Sequence, residues 1–173
     1  MKYIALYTLI LAAAFSCKDD EPVVKCGVSA SVDGTALCYE DSRYLIAYAS
    51  VAGEPSVFSL STSYIANRVK GHSQISIETT EFTGPGTYSL RKYDGGSERS
   101  SYGYFARVDL EHKTMIEYNS VSGTLVVESV KQIAGTSNGL AKGTFAMTAK
   151  DDQGNVVVIE GTFDELRGMG WWD

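Results

Sequence analysis

Short alternating segments, each ended by a turn signal, constrain this chain more than any other feature. Val28-Ser29-Ala30-Ser31-Val32 alternates in polarity and runs into Asp33-Gly34, a dipeptide well suited to a two-residue hairpin. His72 to Thr79 places Ile75 and Ile77 on one face and Ser76 and Glu78 on the other, the period of a half-buried strand. Tyr102 to Leu110 and Lys113 to Tyr118 pair across Glu111-His112, and Thr124 to Ile133, Leu140 to Ala149 and Val156 to Phe163 read as further strands. Turns fall at Gly53-Glu54-Pro55, Gly84-Pro85-Gly86, Asp94 to Glu98 and Asp151 to Asn155. No stretch sustains a helical period, and only Ser63 to Val69 is ambiguous between a short helix and an irregular crossing. About ten short strands at roughly 8–12-residue spacing predict an all-β fold, a two-sheet antiparallel β-sandwich. A lipocalin-like closed barrel is the alternative that the same alternation serves.

The N-terminus bounds location. Ile4 to Phe15 is apolar, Lys2 precedes it, and Ala14-Phe15-Ser16 leads into Cys17. About a dozen apolar residues make a signal segment, too short for a spanning helix, which needs roughly 20. Small residues before a cysteine at the end of such a segment point to a lipoprotein signal, with Cys17 as the lipidated first residue. Two or three acyl chains such as palmitate anchor a protein far more firmly than one, since each buried methylene contributes about 0.8 kcal/mol. Lys18-Asp19-Asp20-Glu21 follows and resembles the export signal of surface lipoproteins in Bacteroidota-type bacteria. The expected organisation is a signal peptide over 1–16, a lipidated N-terminus and polar tether over 17–26, a β domain over 27–166 and a tail over 167–173. The expected location is the outer membrane, held by lipid and facing outward.

Cleavage leaves about 157 of the 173 residues, one domain's worth, able to bury roughly two thirds of its unfolded surface without a metal. The net charge is −6 and no Lys/Arg cluster occurs, which argues against nucleic acid as a partner. Beside Cys17 the cysteines are Cys26 and Cys38, and an extracytoplasmic compartment permits a disulfide between them. Parity opposes it. A turn at Asp33-Gly34 sets Cys38 across from Ser29, and Cys26 lies on the other parity. The bridge forms only if the chain before Val28 leaves the strand and curls back. No His stands at zinc-site spacing from these cysteines.

Gly-Thr recurs at Gly86-Thr87, Gly123-Thr124, Gly143-Thr144-Phe145 and Gly161-Thr162-Phe163. Glycine at a strand's start permits a bend or bulge, and the β-branched threonine begins the pleat. The two Gly-Thr-Phe strands are expected side by side. The order Asp33-Gly34, Gly86-Thr87-Tyr88, then two Gly-Thr-Phe strands, over roughly Gly27 to Leu166, resembles a family of small Bacteroidota surface lipoproteins of unknown function. That resemblance implies a surface β-sandwich and carries no catalytic residues.

Few residues suggest chemistry. Asp151-Asp152-Gln153-Gly154-Asn155 has its glycine two residues early for a calcium loop and Thr162 where the closing glutamate belongs, so it reads as a hairpin turn. His72 and His112 sit at turn or strand-edge positions, and no Gly-x-Ser-x-Gly elbow occurs. Glu78 with Glu81, or Asp164 with Glu165, are the carboxylate pairs a glycan hydrolase would use, against the commoner reading as solvated faces. The aromatics stand out: Tyr88, Tyr93, Tyr102 and Tyr104 cluster, and Trp171-Trp172 ends the chain. Such rings stack on sugars or pack on apolar ligands, and tyrosine is equally an ordinary strand residue. The sequence therefore predicts a non-enzymatic binding or structural module, without metal or cofactor, that meets a membrane through its lipid and a glycan or surface protein through its domain. The alternatives are a glycan hydrolase and a carrier of a small apolar ligand.

Overall fold

A computed structural model describes residues 26–39, 41–47, 56–67, 71–92, 101–109 and 111–170. Cys17, the tether, Gly53-Glu54-Pro55, Tyr93, the Asp94 to Glu98 loop, Trp171 and Trp172 lie outside the described residues. The described chain is all β. Its strands are β1 (Val28–Val32), β2 (Thr35–Tyr39), β3 (Asp41–Ala47), β4 (Ser56–Asn67), β5 (Gly71–Phe82), β6 (Gly86–Arg91), β7 (Ser101–Asp109), β8 (Thr114–Gln132), β9 (Asn138–Lys150) and β10 (Val156–Gly170). The ambiguous stretch from Ser63 is strand, not helix: β4 continues to Asn67, paired with β5.

Hydrogen bonding runs in the order β2-β1-β10-β3-β4-β5-β7-β6-β8-β9, with further β10–β9 and β7–β8 pairings. Two long strands explain this continuity. The first stretch of β8, Thr114 to Asn119, pairs with β7, and its later stretch pairs with β6 and β9. β10 pairs along its length with β9, first with β1 beyond it and finally, at Gly168 to Gly170, with β3 in parallel. Each therefore turns a corner between two packed layers. One holds β2, β1, β10, β9, β8 and β6; the other holds β3, β4, β5, β7 and the start of β8. The expected sandwich is what forms. The space between the layers is filled by side chains and is not the open ligand cavity of a lipocalin-like barrel. Alternation puts Phe58 and Leu60 of β4, Ile75 and Ile77 of β5, Phe105 of β7, Leu125 and Val127 of β8, and Ile159 and Phe163 of β10 into that space, all within 1 % of full burial. Each contributes on the order of 1.5–3 kcal/mol. Aromatic contacts cross it from Tyr88 to Phe82, Phe58 and Phe163, with centroids 5.2 to 6.3 Å apart.

The Gly-Thr-Phe strands are adjacent, as expected, but the glycines serve another purpose. Their register pairs Phe145 with Gly161 and Phe163 with Gly143. A Cβ on Gly161 would come within 2.3 Å of the Phe145 ring, and one on Gly143 within 2.5 Å of the Phe163 ring. Each glycine clears room for the other strand's phenylalanine. The β8–β9 ladder is irregular beside Gly143, between Val127 and Ser129, whereas the β10 irregularity falls after Gly161, between Phe163 and Leu166. That bulge carries β10 on to Gly170, so residues 167–170 belong to the sheet and not to a free tail.

The two strands expected at Lys113 and Thr124 are one. β8 continues through a bulge between Ser120 and Ser122. Ser120 is fully buried; its hydroxyl accepts from the Gly103 amide at 2.8 Å and donates to the Arg91 carbonyl at 2.6 Å. β6 and β7 diverge here, meeting only at Arg91 and Tyr102, and Ser120 supplies partners that a ladder would otherwise provide.

Asp33 and Gly34 take φ of 47° and 80°, the left-handed pair of a tight hairpin. Asp33 also holds the neighbouring strand: its carboxylate accepts from the Val158 amide at 2.8 Å, and its own amide donates to the Val158 carbonyl at 2.9 Å. Cys26 and Cys38 are bridged, with Cα atoms 5.2 Å apart. The parity objection is met as it had to be: residues 26 and 27 precede the strand, and the Gly27 amide bonds back to the Tyr39 carbonyl at 2.9 Å.

Candidate functional site

The structure separates the aromatics nominated by sequence. Tyr88 is a core residue, 8 % exposed, and is withdrawn as a ligand contact. It follows the Gly84-Pro85-Gly86 turn, packs on Phe82, donates its hydroxyl to the Gly84 carbonyl and accepts from the Thr83 amide at 3.3 Å. The tyrosine closes the turn that precedes it, and its ring fills the space inside.

Tyr102 and Tyr104 behave differently. They sit two residues apart on β7, half-buried, on the side opposite the buried Ser101, Gly103 and Phe105. Two residues of strand separate them by about 7 Å. On β5, Glu78 stands across from Tyr102 and Ser76 from Tyr104; on β8, Asn119 stands across from Tyr104. The Tyr104 hydroxyl donates to Glu117 at 2.7 Å. Partial burial and this carboxylate raise its pKa to about 12, so it stays protonated and its ring is held in one orientation. Chemically the face offers two aromatic bodies with polar tips, two carboxylates, a serine and an amide, a mixture suited to a hydroxyl-rich ligand. Gln74 adds a second amide further along the outer face of β5.

The nominated carboxylate pairs do not form a cleft. Asp164 and Glu165 are both exposed at the β10 bulge, where Glu165 has φ 50°. Glu81 is exposed beyond Thr79, whose hydroxyl accepts from the Glu81 amide at 3.3 Å. His112 is exposed in the β7–β8 turn and His72 is half-buried across from Val108. Among the described residues no three His, Cys, Asp or Glu side chains are placed to hold a metal. The Asp151 loop is the hairpin turn expected of it. Its carboxylate accepts from the Asn155 side-chain and backbone nitrogens, both at 2.7 Å, and these bonds lower the Asp151 pKa.

Two concavities escaped sequence reasoning. One, of about 550 Å³, lies on the outward face of β1, β10, β9 and β8 and is walled by Ser29, Ser31, Thr124, Thr144, Glu160 and Thr162. The other, of about 310 Å³, lies between the start of β8 and the β9–β10 turn. Strand alternation marks these side chains as outward, but it carries no sign of the curvature that makes the first face concave.

No family model matches the chain. No curated protein and no solved structure matches it either.

Proposed function

We propose that this chain is a non-enzymatic binding module, anchored in the outer membrane by acyl chains on Cys17 and displayed outward, which engages a glycan through Tyr102 and Tyr104. The observation that carries this reading is the placement of both rings on one sheet face beside Glu78, Ser76, Asn119 and Glu117. Sugar rings present apolar CH faces and a periphery of hydroxyls, and this surface offers partners for both. Display is read from Ala14-Phe15-Ser16-Cys17 and the Lys18-Asp19-Asp20-Glu21 run; the resemblance to small Bacteroidota surface lipoproteins rests on Asp33-Gly34, Gly86-Thr87-Tyr88 and the two Gly-Thr-Phe strands.

A glycan-array screen of the purified protein tests the ligand. Tyr102→Ala and Tyr104→Ala should each weaken binding at least tenfold, and Tyr93→Ala shows whether that neighbour takes part. Binding to no glycan, or binding indifferent to both Tyr102→Ala and Tyr104→Ala, removes the sugar reading. Mass spectrometry of the native product tests the anchor separately. A bare thiol at Cys17 or an uncleaved leader would withdraw the location.

A further inference from the structure

The smaller concavity is lined by Met115, Ile116, Glu117, Asp151, Asp152 and Asn155, together with Gln153. Its apolar residues are anomalous. Ile116 pairs with Arg107 and lies two residues before Tyr118, on the inward parity of the β7–β8 hairpin. Phe105 and Tyr118 on that parity pack ring to ring with centroids 5.7 Å apart. Ile116 should therefore be core, yet it is 42 % exposed, and outward-facing Met115 is 59 % exposed. The hairpin overreaches the opposite layer, leaving an inward position uncovered. Val156, next to Asn155, is also exposed at 53 %. Adjoining exposed apolar side chains of this size mark interaction surfaces.

The charges select the occupant. The lining carries three carboxylates and no Lys, Arg or His. Asp151 accepts two bonds from Asn155 and Glu117 one from Tyr104; these neutral donors leave the charge in place, so all three carboxylates set the field at the rim. Across the ladder, Arg107 holds its guanidinium 6.0 Å over the Phe105 ring, and Lys150 runs along the other side of the β9–β10 turn, beside Gly154. We propose that this cleft docks a segment of a partner protein that presents apolar side chains flanked by lysine or arginine. The apolar side chains cover Ile116 and Met115, and the cation meets Asp152 and Glu117. This surface goes beyond the sugar-binding reading and adjoins it only through Glu117, which also holds Tyr104.

Fluorescence anisotropy of the full-length protein in a neutral detergent tests the proposal. The probe is a labelled acetyl-Leu-Lys-Leu-Lys-Leu amide, and the counter-probe carries Glu in place of Lys. The lysine peptide should bind at least tenfold more tightly than its acidic counterpart. Ile116→Ser and Asp152→Asn should each weaken it at least threefold in protein that remains folded by circular dichroism, with Asp152→Asn leaving the thermal midpoint unchanged. Tyr102→Ala should leave peptide binding intact, which separates failure here from failure of the sugar reading. Equal binding of both peptides, no binding of either, or affinity indifferent to Ile116→Ser and Asp152→Asn would overturn it.

Discussion

Phe163 lies directly across the β9–β10 ladder from Gly143, and its ring occupies the place a side chain there would need. Two register positions away Phe145 stands over Gly161 in the same way. The contacts differ in one respect. The three atoms nearest a Cβ on Gly161 all belong to the Phe145 ring, whereas one on Gly143 would also approach the Val126 carbonyl to 2.0 Å. Gly161→Ala and Gly143→Ala should each destabilise the fold by about 1–3 kcal/mol, the range for overpacked cores. Phe145→Leu should partly rescue Gly161→Ala, but Phe163→Leu should not rescue Gly143→Ala, because backbone cannot be repacked. Urea unfolding of the four single and two double variants measures this, and equal rescue at both sites would contradict it.

Two buried hydroxyls should respond with opposite sign to removal. Ser120→Ala leaves the Gly103 amide and the Arg91 carbonyl without the partner that Ser120 provides, a loss of about 1–3 kcal/mol for each group stranded. Thr62 is 1 % exposed, and its hydroxyl has no partner among the described residues. Thr62→Val keeps the shape and removes that cost, so it should be neutral or stabilising by up to about 1 kcal/mol. Denaturant midpoints at constant m-value decide both.

The Cys26–Cys38 bridge closes a loop of 12 residues in sequence separation. Chain entropy gives it about 3 kcal/mol. Cys26→Ser with Cys38→Ser should lower stability by that order and leave the β-sheet circular dichroism in place, since Val28, Val32 and Tyr39 beside the bridge stay buried in the core. Loss of less than about 1 kcal/mol would show that the loop is already ordered in the unfolded chain.

Tyr104 should titrate near pH 12, above the ordinary value of 10. The fold favours its protonated form. Its stabilising contribution is therefore complete below pH 10 and is lost as pH rises from 10 toward 12. Glu117→Gln removes the negative charge but not the burial, so the value should fall without returning fully to 10. Ultraviolet difference spectra at the phenolate band, compared with Tyr104→Phe, follow this residue; a wild-type Tyr104 titrating at 10 would refute the assignment.

Asp151 works in the other direction. Its lowered pKa means the fold favours the carboxylate, so the turn's contribution is present above the unfolded pKa and declines as pH falls through the folded value. Asp151→Asn should remove that acid sensitivity from the amide shifts of Asn155 and Gly154. Persistence of the same titration in the variant would place its origin elsewhere.

Much of this architecture was written locally. The alternation of Val28 to Val32 and of Ser73 to Thr79, the left-handed turn at Asp33-Gly34 and the hairpin at Asp151 to Asn155 follow from φ preference and side-chain parity, which neighbouring residues set among themselves. So did the all-β class and the adjacency of the two Gly-Thr-Phe strands. Contacts between residues far apart decided the rest. Parity could say that Tyr88, Tyr102 and Tyr104 each have two faces to choose from, but only the packing of Phe82 over Tyr88 buries one and leaves the other two on an outer surface. Likewise parity argued against Cys26 meeting Cys38 until the chain before Val28 turned back, and Ile116, on the inward face by its pairing with Arg107, is still 42 % exposed. Sequence determines direction along a strand because that property is short-range. Which direction becomes interior depends on what the second layer covers, and that is a property of the assembled sandwich.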